Sequence, residues 1–354
     1  MPILDLDNSQ DVARYDEFLK NSPYACYTQD RAWAAVKQNW DEHYVYLEDD
    51  TGKIIAALSL LSVKNDGEHA FLYAQRAPVC DFSDITLFEA LLQEALPLVA
   101  EENAFLLRIS PAYPYEANLL KAYAAKGYFI YSSEDPGDRL FDMPPYNMMM
   151  DLHGVNKDNL LDVLPSRVRR YVRKTYRDGL RTESLRPNDS GYETALTRLH
   201  DLIKVVADRN DISYRPRDYM HRLMLNYPQA RLFQTATSDG EVLAASIVIL
   251  YNGVATYMYT GSSNHLRNLR AGYQLNYESI LYTLEQGGHC YDLGALLSLD
   301  KEAGFEAFKL KFGAKDEPTR FIGQMDLVFD EELYEEFMGG GAPYTYSSFS
   351  FYFS

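Results

Sequence analysis

The chain has 354 residues, 47% of them hydrophobic, and carries 34 Lys and Arg against 51 Asp and Glu, a formal net charge of −17. That length suits two domains or one large one with a sizeable core. The acidic balance argues against general nucleic-acid coating, so a polyanionic partner has to be met locally. Cys26, Cys80 and Cys290 are odd in number and widely spaced, with no CxxC and no paired histidines. This pattern predicts buried thiols in a reducing compartment, with no disulfide framework and no metal site. The opening MPILDLDNSQ is acidic and no run approaches twenty apolar residues, so a soluble, cytoplasmic protein without membrane insertion is expected.

In chain order, DVARYDEFLK and RAWAAVKQNW carry helical patterns separated by the Ser22-Pro23 break. Tyr44 to Leu61 reads as two strands around an Asp-Asp-Thr-Gly turn, and FLYAQRAPVC as a third. The helix LFEALLQEALPLVAEE, the strand AFLLRIS and the helix EANLLKAYAAKG follow. The second half repeats this series. Arg231 to Leu250 again makes strand, Asp-Gly turn and strand, with GEVLAASI aligning on GKIIAALS, and ATYMYTGS is the next strand. GYQLNYESILYTLEQGG, CYDLGAL and FEAFKLKFG then give helix, strand and helix. Six elements in the same order predict a tandem duplication of a small α/β unit, the two copies packing around a cleft. The tail from Gly339 is a glycine run followed by uncharged serine and aromatics, and reads as a disordered or non-native extension.

Between the halves, Pro165 to Arg181 holds seven basic residues and one acid. Arg167, Arg170, Lys174 and Arg177 recur at helical spacing, while Val168 and Val172 face inward, Ser166 caps the start and Gly179 the end. The plainer reading is a solvated helix face. With so little interleaved acid the stripe repels itself unless an anion lies on it.

No HExxH, GxSxG, Walker A or complete GxGxxG occurs, so chemistry has to rest on positioning and charge stabilisation, without metal or cofactor. The order of elements resembles the GCN5-related acyltransferases (GNAT), which hold the pyrophosphate of acetyl coenzyme A with an R/Q-x-x-G-x-G/A loop. The matching run is Arg267-Asn268-Leu269-Arg270-Ala271-Gly272. Arg270 replaces the middle glycine, which predicts a spoiled backbone cradle and a donor other than coenzyme A.

From Pro2 to about Phe337 the motifs RYDEFLKNSPY, TQDRAWAAVKQNW, VYLEDDTGKIIAALS, SRVRRYVRKTYRDG, ISYRPRDY, TYMYTGS, YDLGALLS and FKLKFG occur in order. In these the chain resembles the Fem aminoacyltransferases of peptidoglycan precursors, most closely the FemX branch. The resemblance implies an α/β fold of two tandem GNAT-like domains facing a shared cleft, without a coiled-coil arm. The first, residues 1–147, would be completed by a returning strand within 318–338, the second spanning 148–317. It also implies a monomer that moves an amino acid, L-alanine in the first instance, from aminoacyl-tRNA to the side-chain amine of residue three of UDP-MurNAc-pentapeptide. A coenzyme A-dependent N-acyltransferase of the same fold and a catalytically silent tRNA- or peptide-binding member are the alternatives.

Lys309, with Phe308 beside it, stands where the family has its catalytic lysine. On a helical wheel Phe305, Phe308 and Phe312 share one face and Lys309 lies at its edge, which for an isolated pair would suggest snorkelling. For the nucleotide precursor the resemblance carries over Lys37, Gln38, Asn39 and Trp40 in the first half and Arg215, Tyr219 and Tyr259 in the second. Cations there suit phosphate oxygens, and tyrosines offer hydroxyls and flat faces. Arg167, Arg170, Lys174 and Arg177 are the expected tRNA contacts. Ser110 stands where FemX relatives have a carboxylate considered as proton acceptor. A serine hydroxyl is too weak a base for that role, so the base is unassigned.

Overall fold

The computed structural model describes residues 3–64, 66–132, 143–210, 213–296, 299–300, 306–313 and 315–339. Phe305 and the tail beyond Gly339 lie outside these. The chain divides into two compact units, Met1–Pro145 joined by a return segment starting at Arg320, and Tyr146–Thr319.

In the first unit, α1 (Ser9–Asn21) starts where the Asn8 side chain accepts from the Gln10 and Asp11 amides, and it buries Tyr15 and Leu19. After α2 (Ala32–Val36) come β1 (Asp41–Glu48), β2 (Ile54–Lys64) and β3 (Ala70–Gln75). Next are α3 (Ile85–Glu101), capped by Asp84, then β4 (Ala104–Ser110), α4 (Ala117–Ala125) and β5 (Ile130–Tyr131). Two sequence expectations shorten. The helix in RAWAAVKQNW ends at Val36, because Lys37 leaves helical geometry at ψ 58° and the chain turns to bury Trp40 against Phe71. The strand in FLYAQRAPVC stops at Gln75, because Arg76 turns at φ 56° before the cis Ala77-Pro78 bond.

The second unit begins with β6 (Tyr146–Asp151), α5 (Leu160–Val163), α6 (Ser166–Arg177) and β7 (Arg181–Leu185). It continues with α7 (Tyr192–Asn210), α8 (Arg217–Asn226), β8 (Arg231–Ala236), β9 (Val242–Tyr251) and β10 (Val254–Ser262). Then come α9 (Ala271–Glu285), β11 (Cys290–Leu296), α10 (Glu306–Phe312) and β12 (Thr319–Arg320). The return segment supplies β13 (Gln324–Val328) and α11 (Glu331–Gly339). The longest helix among the described residues, α7, lies on β10, where a side chain at Gly261 would come within 2.6 Å of the Ile203 amide.

The sheets repeat one plan. The first runs β1-β2-β3-β4-β13-β5 and the second β12-β6-β11-β10-β9-β8-β7. In each, an antiparallel meander (β1-β2-β3 or β8-β9-β10) is followed by a parallel neighbour (β4 or β11), which pairs antiparallel with a strand from elsewhere in the chain (β13 or β6). The turns match as well. The Asp49 amide donates to Lys53 O and Gly52 N to Asp49 O, while the Thr237 amide donates to Glu241 O and Gly240 N to Thr237 O. Gly52 and Gly240 take φ 80° and 92°, which a side chain would oppose. The duplicated α/β architecture expected from the sequence is present.

Each unit has its own core. Leu58, Leu72, Phe88, Leu107 and Tyr123 anchor the first, and Met148, Val172, Leu275, Tyr291 and Phe312 the second. A pairing unseen in the sequence closes the first. On β4, Arg108 donates through Nε and Nη2 to the two carboxylate oxygens of Asp326 on β13, both at 2.8 Å and fully buried. Tyr334 of α11 donates to the same carboxylate.

Candidate active site and phosphate-binding residues

Lys309 sits in the last turn of α10, half-buried beside β11. Its Nζ donates to Ala295 O at 2.7 Å. A β-bulge between Asp292 and Ala295 makes this approach possible, because it puts Gly294 at φ 89° and turns the β11 backbone toward the ammonium. A Cβ on Gly294 would lie 3.5 Å from Lys309 Nζ. Buried Asp292 accepts from Gly294 N at 2.8 Å and from Asn147 Nδ2 at 2.7 Å, and Asn147 Oδ1 is buried without a hydrogen-bond partner among the described residues. Desolvation pulls the Lys309 ammonium below the ordinary lysine range, and the negative charges of Asp292 and buried Glu306 oppose that pull. Lys309 is therefore anchored on a backbone carbonyl beside two acidic side chains, which a snorkelling side chain would not be. Phe308 packs edge-on against Tyr273 at 5.1 Å and beside Phe312 at 5.6 Å.

Arg215, Tyr219 and Tyr259 come together. The Arg215 guanidinium lies 5.3 Å from the Tyr219 ring centre, and that ring meets Tyr259 at 5.9 Å. Tyr259 stands on a bulge of β10 at φ 47°, a costly conformation for a tyrosine that re-aims its side chain. Burial raises its hydroxyl pKa, while Arg215 and a bond from Tyr219 lower it. Tyr219 is turned inward. Its ring is fully buried and braces Arg215, because Arg215 precedes α8 with Pro216 at the N-cap and folds back over the first turn.

In the first unit, Lys37 is buried with Nζ 5.4 Å from the Trp33 ring centre, and Trp40 is buried too, so only Gln38 and Asn39 of that run are exposed. Ser110 ends β4, buried, with its hydroxyl 3.5 Å from that of Tyr73. The three thiols are held protonated by desolvation, Cys80 and Cys290 pushed up to about 12.

The stripe on α6 differs from its sequence reading. Val168 and Val172 are buried as expected, but Pro165 takes the N-cap and Ser166 makes no cap bond. Gly179, at φ 79°, ends the helix with Leu180 N donating to Thr175 O. Lys174 is paired with Asp178, and Arg177 is exposed. Arg167 and Arg170 instead turn to Tyr171, at 5.7 and 5.2 Å from its ring centre, where Arg270 from the α9 entry joins them at 4.1 Å. The bond from Arg167 to its hydroxyl, then Arg170 and Arg270, hold the Tyr171 pKa below the ordinary value. Arg270 also corrects an expectation. It adopts the left-handed φ 59° and ψ 40° that a glycine would take, so the backbone turn survives the substitution.

Comparison with known proteins decides the lineage. Residues 11–135 match the FemAB family and residues 166–310 an acetyltransferase (GNAT) domain. A UDP-N-acetylmuramoylpentapeptide-lysine N(6)-alanyltransferase from Weissella viridescens is 33% identical over 341 residues, 95% of this chain and 99% of that protein. The chain belongs to the FemAB family. A lipid II:glycine glycyltransferase of Staphylococcus aureus is a more distant relative, 22% identical with 91% of this chain and 92% of that one covered. The crystal structure of FemX superposes with a TM-score of 0.79 at 19% identity, covering 95% of this chain and 99% of that one. A tandem GNAT protein from the clavulanic acid pathway gives 0.52 at 14% identity, covering 92% and 97%. The tandem GNAT fold is thereby established. No described helix is long and apolar enough to cross a membrane, and no group of three metal-ligating side chains occurs among the described residues.

Asp292, Asn147 and Arg270 were not singled out as site residues by sequence. An acid within the apolar strand CYDLGAL was the available signal for Asp292.

Proposed function

We propose that this protein is an aminoacyltransferase that moves an amino acid, L-alanine in the first instance, from charged tRNA to the side-chain amine of residue three of UDP-MurNAc-pentapeptide. The reading places it in the cytoplasm as a monomer. The observation that carries it is the ammonium of Lys309, desolvated yet held by Ala295 O beside Asp292, in a chain 33% identical to a named alanyltransferase.

An aminoacyl ester is already activated, so the reaction needs alignment and charge stabilisation. The acceptor amine forms a C–N bond to the ester carbon, and negative charge develops on the former carbonyl oxygen. Lys309 donates a hydrogen bond to that oxygen. As the intermediate collapses the ester C–O bond breaks, the ribose hydroxyl leaves, and the proton lost by the amine balances the one the hydroxyl gains. Ser110 is no base, and that proton's carrier is unassigned. Within the second unit, Arg215 and the Tyr259 hydroxyl are phosphate contacts for the precursor.

Incubation with the precursor and a mixed pool of aminoacyl-tRNAs, read by mass, tests the reading. One added amino acid on the precursor is expected, and no adduct with any aminoacyl-tRNA would end the proposal. A second reading, coenzyme A-dependent N-acyl transfer, is favoured by one observation, the left-handed turn kept at Arg270. A thermal shift given by acetyl coenzyme A and not by the precursor would select it.

A further inference from the structure

Asn147 and Asp292 form a buried polar pair directly behind the bulge of β11. Each is only 7% exposed, and Asn147 lies opposite Ala295 in the pairing of β6 with β11. Asn147 Nδ2 donates to one Asp292 oxygen at 2.7 Å, and Gly294 N donates to the other at 2.8 Å. The first bond fixes which way the amide points, since the opposite flip would set its oxygen against a carboxylate. Asn147 Oδ1 is left buried beside Asp292 without a hydrogen-bond partner among the described residues. An acceptor stranded at this depth is costly, and a donor from outside the chain would relieve it.

The surrounding charges define that donor. Buried Asp292 and Glu306 both act on the Lys309 ammonium, two negative charges on one positive among the described residues. A second cation would balance them, and a primary ammonium can do so while donating to Asn147 Oδ1. Gly294, Ala295 and Lys309 are half-exposed, so the polar pair lies just inside an edge that solvent reaches.

Two amines enter the proposed reaction. The acceptor amine attacks in its neutral form, and a site rich in carboxylate would hold it protonated and unreactive. The α-ammonium of the aminoacyl donor makes and breaks no bond, and it stands one carbon from the carbonyl whose oxygen Lys309 receives. We infer that Asn147 Oδ1 and the Asp292 carboxylate form a subsite for a primary ammonium, the α-ammonium of the aminoacyl donor, and thereby select aminoacyl over plain acyl groups. The inference rests on the proposed function for the source of that ammonium. An acetyl group brings no donor and leaves Asn147 Oδ1 stranded, so the subsite works against acetyl donors on this fold.

The test is binding of two RNA hairpins to the full chain, with no acceptor present. Both end in single-stranded ACCA, one with an alanyl and one with a propionyl group joined to the terminal ribose by an amide, so they differ only at the ammonium. The wild-type chain should bind the alanyl hairpin roughly tenfold or more tightly than the propionyl hairpin. Asn147→Ala, and Asp292→Asn with its side-chain shape kept, should each cut that preference to about twofold or less, while propionyl affinity stays within about twofold. Thermal melts identify a variant that has not folded, and the isosteric Asp292→Asn carries the test if Asn147→Ala is lost. Equal affinity of the wild-type chain for both hairpins, or equal losses of both in the folded variants, would overturn the subsite and leave the proposed function standing. Failure of either hairpin to bind at all would remove the tRNA donor, and the inference with it.

Discussion

The two units place the same kind of strand pair at the same position in their sheets and use it for opposite ends. In the first, β4 and β13 enclose a complete ion pair, Arg108 with Asp326, both oxygens engaged and both side chains fully buried. In the second, β11 and β6 hold Asp292 against Asn147, whose Oδ1 has no partner among the described residues, and the nearby ammonium of Lys309 is only half-buried. The first arrangement leaves nothing for a ligand to satisfy. The second keeps charge available at a bulged backbone. Duplication thus yields one copy whose polar pair closes a core and one whose polar pair sits beside a partly exposed lysine.

Breaking the closed pair should have the largest effect on folding and the smallest on chemistry. Asp326→Ala leaves the Arg108 charge buried alone, and stability should fall by about 3–5 kcal/mol. Denaturant unfolding checks this, and turnover per folded molecule should be unchanged at low temperature. Lys309→Met inverts the outcome. Folding should persist while kcat drops roughly 10²-fold with precursor affinity little altered. Weaker precursor binding with normal turnover at saturation would instead make Lys309 a ground-state contact.

Arg215→Ala should weaken the precursor by roughly tenfold or more in calorimetry, since a charge-assisted phosphate contact is lost. Tyr219→Phe keeps the buried ring beneath Arg215 and should lose less. The smallest effect is a shift in pH. If the Lys309 ammonium is the active form, kcat falls as pH rises through its pKa, and that limb begins below the ordinary lysine range because burial lowers it. Asp292 and Glu306 face the ammonium and raise its pKa, so Asp292→Asn should move the limb to lower pH. A limb that rises with pH would show that the neutral amine does the work.

Much of this was legible because it is local. Alternating strands, the Asp-Asp-Thr-Gly and Asp-Gly turns and the inward valines of α6 follow from periodicity within one element. What escaped depends on partners far apart in sequence. Arg108 and Asp326 are separated by 218 positions, and no pattern near either residue announces the other. Tyr219 was carried over from the family as a precursor contact, and only α8 shows that its ring is turned wholly inward beneath Arg215. Arg270 was judged by residue type, but surrounding structure held an arginine in a glycine's conformation. Lys309 was found through family resemblance, and Asp292 beside it needed the bulge in β11 to be seen.

The returning strand β13 also sets a timetable. At synthesis rates of roughly 5–20 residues per second, Asp326 leaves the ribosome about 10–40 seconds after Arg108, so the first sheet waits unfinished while the whole second unit emerges. The later-made unit is continuous in sequence from β6 to β11 and can complete its meander first. During that interval β4 presents an unpaired edge and a lone guanidinium, the surface a chaperone would have to guard.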